Sequence, residues 1–418
     1  MNKSNRLTVY IIISMFAGIV LGYLVHTQSS PDFIQSFSTN IKLLTTIFLR
    51  LVQMIIAPLV FSTLVVGIAK LGDLKTVGRI GGKAMLWFIT ASLVSLLLGM
   101  LLVNLFKPGE GIGIGNTDLN AAKDLVGKTQ DFNIQKFVEH VFPKSVIDAM
   151  ANNEILQIVI FSLFFGIATA ALGEKGKIIV KALDAVAHVI LKMVGYVMNF
   201  APLGVFGAIA AVIATKGLEV FVFYGKYLLY FTIGIVILWS LLLLAGFMVL
   251  GKRMPELLRR ITPALIIAFS TTSSEAVFPK LTEELERFGC KDKVVAFILP
   301  LGYSFNLVGS MLYMTFASIA IAQASNIHLD FGTQLTMFLI LMLTSKGIAG
   351  VPRAALIVVA ATCTMFHIPA EGIALILPID HFCDMFRTST NVLGNALATG
   401  MVSKWENSLE PAVTEHAD

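Results

Sequence analysis

Residues 84–106 read AMLWFITASLVSLLLGMLLVNLF, without one charged side chain. A helix needs about 20 such residues to cross the hydrocarbon of a bilayer. Uncharged blocks of this kind recur along the chain, so lipid rather than water is the solvent against which it must be read. Composition agrees. Of 418 residues, 56% are hydrophobic and 14% charged, whereas soluble domains carry roughly 25% charged residues. So much apolar surface excludes a disordered chain. The cysteines (Cys290, Cys363 and Cys383) are odd in number and lie in or beside apolar stretches, which excludes a disulfide scaffold. The net charge of +5 does not mark a nucleic-acid binder. Lys and Arg gather in short segments between the apolar blocks, as in the cytoplasmic loops of membrane proteins.

Eight blocks read as spans: 7–25, 43–69 (interrupted by Arg50), 84–106, 155–173, 193–215, 227–251, 294–329 and 372–402. The fifth gains an amphipathic extension from about Ile179, and the seventh ends in an exit loop. No small-x-small cleavage site follows the first, so it is read as retained. Two further apolar regions break in the middle. Residues 261–279 contain Ser270-Thr271-Thr272-Ser273-Ser274-Glu275, and residues 331–370 contain Thr344 to Arg353 with Gly347, Gly350 and Pro352. Gly and Pro stop helices, and non-helical backbone is tolerated at membrane depth only where protein or water satisfies it. Each region therefore reads as a hairpin that enters and leaves on one side. The fold class is an all-α polytopic membrane protein with eight transmembrane helices and two re-entrant helical hairpins.

Basic residues set the orientation. Lys3 and Arg6, the 70–83 loop, the 174–181 loop and the 252–260 loop all fall on one side when the spans alternate. That side is the cytoplasm and holds both termini. The 107–154 connection, with more acidic than basic residues, falls outside. The first tip enters from inside and the second from outside.

The last span carries Asp380, Asp384, Arg387, Asn391 and Asn395, repeating every three or four residues, with Thr388 beside them. Such spacing puts them on one helical stripe. Ionisable residues at membrane depth face a cavity or a partner. Two readings are open. Asp384 and Arg387 simply pair at i, i+3. Alternatively the stripe is a binding site, in which the Arg387 fork takes a carboxylate and Asp384 takes an ammonium. Interrupted hydrophobic segments in corresponding positions point to a transporter's binding site, and Ser273 and Ser274 supply hydroxyls at the first tip. The seventh span has a polar centre, Gly302-Tyr303-Ser304-Phe305-Asn306-Leu307-Val308-Gly309-Ser310, read either as an internally satisfied kink or as part of that site.

Other signals are weaker. Residues 109–115 are Gly-rich but lack the Lys-Ser/Thr of a phosphate loop. His188 and His381 have no companion at ligand spacing, so no metal site is expected. Glu275, a carboxylate in an apolar hairpin, suits a proton carrier, or else a structural hydrogen bond.

The motifs Ser273-Ser274-Glu275, Asn306-x-x-Gly309-Ser310, Gly347-x-Ala349-Gly350-Val351-Pro352 and Asp384-x-x-Arg387-Thr388-x-x-Asn391 resemble those of the dicarboxylate/amino acid:cation symporter family. Its members include bacterial glutamate, archaeal aspartate and mammalian excitatory amino-acid transporters. The resemblance runs from about residue 7 to 405. It implies a homotrimer in the bacterial inner membrane and an elevator mechanism, with a transport domain sliding against a scaffold. Scaffold helices 1 and 2 occupy 1–75 and transport-domain helix 3 occupies 76–108. An external loop and scaffold helices 4 and 5 occupy 109–218. The rest of the transport domain spans 219–405, with the inner hairpin at 257–288 and the outer at 332–368, and 406–418 is a cytoplasmic tail.

By the same resemblance Arg387 holds the substrate side-chain carboxylate and Asp384 its ammonium, assisted by Thr388, Asn391 and Ser310. Backbone groups of Thr272, Ser274, Val351 and Ala355 reach it from the hairpins, the outer one being the gate. The coupling ion is where the chain departs. Sodium-driven relatives carry aspartates where this chain has Val308 and Asn395, and hydroxyls where it has Phe88 and Ala91. Hard cations want charged oxygen ligands, so two sodium sites look dismantled. A third, of backbone carbonyls (Ser304, Ser345, Lys346, Ile348), is not read from side chains. Gly302, Asn306, Asp380 and Asn395 complete the coupling-ion candidates, with Glu275 as in proton-coupled members. Arg353 replaces a small gate residue.

The expected activity is symport of glutamate or aspartate with protons, with no cofactor and no enzymatic chemistry. A C4-dicarboxylate symporter, or sodium coupling, is the alternative. A channel or receptor on the same spans is the rival of a different class.

Overall fold

The computed structural model describes residues 3–71, 74–110, 141–218, 224–344, 354–369, 372–376 and 379–411. The apolar blocks fold as helices, and no strand occurs among the described residues. In chain order they are α1 (Lys3–Gln28), α2 (Pro31–Leu71), α3 (Leu74–Phe106), α4 (Val146–Ala151), α5 (Ile155–Ala171) and α6 (Gly176–Val197). Then follow α7 (Ala201–Lys216), α8 (Gly225–Leu250), α9 (Met254–Thr271), α10 (Phe278–Arg287) and α11 (Asp292–Phe305). The last five are α12 (Val308–Ala324), α13 (Phe331–Thr344), α14 (Ala354–Met365), α15 (Ile373–Ile376) and α16 (Asp380–Trp405).

Among the described residues, 6 helical stretches are long and apolar enough to cross a membrane. Two expected spans fall short of that measure. Helix α5 has only 17 residues. Helix α16 begins at Asp380, later than the expected residue 372, and is too polar along its length. The structure compensates by enclosure, since every residue from Arg387 through Ser403 is buried. The expected single span at 294–329 is two helices, α11 and α12, with Asn306 and Leu307 outside both.

The helices gather in two groups. Helices α1, α2, α5, α6 and α7 pack on one another, and α3, α8, α9, α11, α12 and α16 form the second group. Small residues allow close backbone approach in each group. A Cβ on Gly22 of α1 would sit 2.7 Å from the Ala210 carbonyl of α7, and one on Gly99 of α3 would sit 2.8 Å from the Leu312 carbonyl of α12. Helix α2 meets the second group along α11, where a Cβ on Gly67 would lie 3.2 Å from Lys293 Cα.

The chain after α16 forms a strap. The Glu406 carboxylate takes Arg79 at 2.8 Å and Lys83 at 2.6 Å, both from α3. Lys291 N donates to the Ser408 carbonyl at 3.2 Å, and Glu410 N to the Gly289 carbonyl at 2.8 Å. Arg253 closes the knot by donating to the carbonyls of Glu410 and Phe288. Gly289 has φ +104, with the Glu410 carbonyl where a Cβ would stand, so only glycine fits there.

Candidate functional site

Asp380, Asp384 and Arg387 occupy the first two turns of α16. Arg387 Nε donates to Asp384 Oδ1 at 2.7 Å, and Nη1 lies 3.5 Å from Asp380 Oδ1. The simple-pair reading of Asp384 and Arg387 thus describes the geometry, enlarged by a second carboxylate. The cluster carries a formal charge of −1, from two carboxylates and one guanidinium. Its members differ in access. The side chains of Arg387 and Asp380 are 5% and 4% exposed, and that of Asp384 is 18% exposed.

Tyr313 of α12 supports the buried side. Its ring lies under the guanidinium, 4.7 Å from Cζ, in a cation–π contact. Its hydroxyl donates to Asp380 Oδ1 at 2.7 Å. Thr388 Oγ1 donates to Asp384 Oδ1 at 2.9 Å. No described residue hydrogen-bonds Asp384 Oδ2. Tyr313 is a site residue that sequence reasoning missed. The available signal was its place one turn after Ser310, on the face that Ser310 presents, but an aromatic in an apolar helix reads as packing.

Farther along the stripe, Asn391 acts as a cap for another helix. The break at Asn306 and Leu307 leaves the first N–H groups of α12 without intrahelical partners. Asn391 Oδ1 accepts from Gly309 N at 2.8 Å and Ser310 N at 3.3 Å, while its Nδ2 donates to Ser310 Oγ at 3.1 Å. A Cβ on Gly309 would run into the Arg387 backbone, so glycine lets α12 and α16 approach here. Asn306 Nδ2 donates to Asn395 Oδ1 at 3.0 Å. Asn306 Oδ1, Asn395 Nδ2 and Ser304 Oγ are buried with no hydrogen-bond partner among the described residues. A Cβ on Gly302 would lie 2.6 Å from Asn395 Oδ1, so Gly302, Asn306 and Asn395 form one amide contact. Val308, fully buried, packs against Gly394 beside it.

Helices α9 and α10 lie alongside α16. Phe269 of α9 meets Phe386 edge-on at 5.1 Å, and Ser389 Oγ donates to the Leu265 carbonyl at 3.2 Å. The turn that follows α9 begins at Thr272, left-handed at φ 52. The hydroxyls of Ser270 and Thr271 donate to carbonyls one turn back, and Ser273 Oγ accepts from Ala276 N at 3.2 Å. These groups shape the turn. Among the described residues, none of Thr272, Ser273, Ser274 and Glu275 makes a hydrogen bond or ion pair with α16. Ala355 is buried on α14, while Ser345, Lys346, Ile348, Val351 and Arg353 lie outside the described residues. No group of three or more His, Cys, Asp or Glu side chains placed to hold a metal ion occurs among the described residues.

Comparison with known proteins adds a second line of argument. Residues 7–405 match the family model described as the sodium:dicarboxylate symporter family. A C4-dicarboxylate transport protein of Rhizobium etli is 40% identical over 417 residues, covering 97% of this chain and 90% of that protein. One from Bacillus subtilis is 38% identical over 419 residues, covering 99% and 96%. One from Acinetobacter baylyi is 37% identical over 415 residues, covering 97% and 93%.

Proposed function

The chain belongs to the sodium:dicarboxylate symporter family, and from that premise we propose that it imports short dicarboxylic acids, C4-dicarboxylates first, by secondary active symport. The sequence alone had favoured acidic amino acids, whereas the relatives' names support C4-dicarboxylates. Arg387 is the observation that carries the reading. A guanidinium enclosed in a helical bundle, one turn before Asn391 and its α12 partner Ser310 and beside an Asp384 that Thr388 also holds, offers a bidentate partner to a carboxylate. Asp384, the more exposed carboxylate of the cluster, is the one an incoming carboxylate displaces from Arg387. Asp380 stays, pinned by Tyr313.

One observation favours a second reading, acidic amino acids. A carboxylate beside the anion-binding guanidinium suits an α-ammonium. Uptake of labelled succinate and labelled aspartate into proteoliposomes, each competed by the other, separates the two readings. Concentrative uptake of either compound rules out a channel or a receptor, and lack of uptake of both refutes the proposal.

Protons are the proposed coupling ion. The positions where sodium-driven relatives are expected to carry aspartates hold a buried valine, Val308, and an amide, Asn395. Phe88 and Ala91, in place of hydroxyls, are also buried and apolar. Imposing sodium and pH gradients separately tests this, and uptake driven by sodium alone refutes it. The two helix groups support an elevator in which α1, α2 and α5–α7 form the scaffold and α3 and α8–α16 the moving body. A homotrimer in the bacterial inner membrane, with both termini cytoplasmic, completes the proposal.

A further inference from the structure

The cluster of Asp380, Asp384 and Arg387 sets a charge problem that the two candidate substrate classes meet differently. It carries −1 before any substrate arrives. A C4-dicarboxylate adds −2, and an acidic amino acid adds −1 because it brings an ammonium. Like charges confined in one weakly solvated site favour protonation of one of them. The geometry says which. Asp380 Oδ1 accepts from the Tyr313 hydroxyl at 2.7 Å and faces Arg387 Nη1, so it is fixed from two helices. Asp384 is held through Oδ1 alone, by Arg387 Nε and Thr388, and is the most exposed member at 18%. When a substrate carboxylate takes the Nε side of Arg387, Asp384 loses its cation.

We propose that Asp384 is a substrate-dependent proton acceptor. A C4-dicarboxylate binds together with one proton on the Asp384 carboxylate, whereas an acidic amino acid supplies an ammonium there and needs none. The proton comes from water and adds to one oxygen of Asp384, and no other bond changes. With it, both complexes reach the same total of −2. The inference rests on the reading of the chain as a dicarboxylate symporter.

The neighbouring groups do not replace Asp384 in this role. On α16 itself, His381 and Cys383 flank Asp384, and Arg387 is the cation it loses. From α12 Tyr313 touches the cluster through Asp380 and the Arg387 guanidinium, with no hydrogen bond to Asp384. Tyr227 of α8, Tyr303 of α11 and Glu275 at the inner tip make no hydrogen bond to Asp384. On α10, Lys280 and Glu284 pair with each other at 2.7 Å. The α3 cations Arg79 and Lys83 hold Glu406 at the far end of α16. Lys346 and Arg353 lie outside the described residues.

Titration calorimetry on the purified full-length protein, repeated in buffers of different ionisation enthalpy, counts protons taken up with each ligand. Fumarate and aspartate are the probes, since both carboxyls of each stay ionised from about pH 6 to 8. A proton common to both ligands cancels in the difference. Fumarate is expected to take up about one proton more than aspartate. Its Kd should rise up to about tenfold per pH unit relative to that of aspartate. In Asp384→Asn, a neutral isostere of the protonated acid, fumarate should still bind with the extra proton gone, while aspartate binding falls. Equal counts in the wild type overturn the proposal, whether or not the variant folds. An extra proton that persists in Asp384→Asn also overturns it. Aspartate binding without fumarate binding refutes the C4-dicarboxylate reading and this inference together. If neither ligand binds, the transport reading itself fails.

Discussion

Arg387 holds two carboxylates and a tyrosine ring at once, so its removal has two separable consequences. Arg387→Ala should abolish uptake of any dicarboxylic acid, with at least about a hundredfold loss in apparent affinity. It also leaves Asp380 and Asp384 without their cation, a loss of about 3–5 kcal/mol for a buried pair broken on one side. Ligand binding and the melting midpoint of the detergent-solubilised protein, measured side by side, separate these consequences. Wild-type affinity in Arg387→Ala would refute the site. Asn391 lends itself to a stability prediction. It caps α12 from another helix, so Asn391→Ala should destabilise by about 0.5–2 kcal/mol, the usual range for a lost cap. A lowered melting midpoint is the expected observation. Little of this division of labour was legible in the residues. Charge and spacing put Asp380, Asp384, Arg387 and Asn391 on one face, but Tyr313 and the capping partners of Asn391 belong to a helix far away in sequence.

The strap after α16 and the chain around Gly289 that it pairs with form the element whose pH behaviour follows from one carboxylate. Hydrogen bonds from Arg79 and then Lys83, with their charges, hold Glu406 below the ordinary glutamate value of 4.5. A depressed acid stabilises the fold above its unfolded value and loses that contribution as pH falls. Glu406→Gln should therefore lower stability at neutral pH by about 1 kcal/mol, given that one cation is largely exposed. The gap to the wild type should close as pH drops below about 4.5. Parallel melting curves at neutral and acid pH check it, and a gap that widens on acidification contradicts the assignment. The break between α11 and α12 was legible as a polar, glycine-flanked centre at 302–310. Its consequence was not, because the strand-free break gains its stability from α16 rather than from its own sequence.

For the whole molecule, the contact between α2 and α11 joins the two helix groups that the elevator proposal sets in relative motion. Gly67 and Ala296 meet there, with a Gly67 Cβ 3.5 Å from Ala296 Cβ, within the Cβ separation that a disulfide spans. Gly67→Cys combined with Ala296→Cys should cross-link under mild oxidation and stop uptake, with recovery on reduction. Full uptake in the oxidised double variant, with the cross-link verified by mass, argues that this contact does not move.

Hydrophobic run length, basic loops and a charged stripe every three or four residues were enough to establish a helical membrane protein and to nominate the last helix as its site. Those are local properties: the bilayer fixes the length of an apolar helix, and helical periodicity fixes which residues share a face. Which of two carboxylates is pinned and which is exposed depends on Tyr313 and the packing of α12. Only the folded bundle decides that, because burial and hydrogen bonding are properties of the neighbours a side chain acquires.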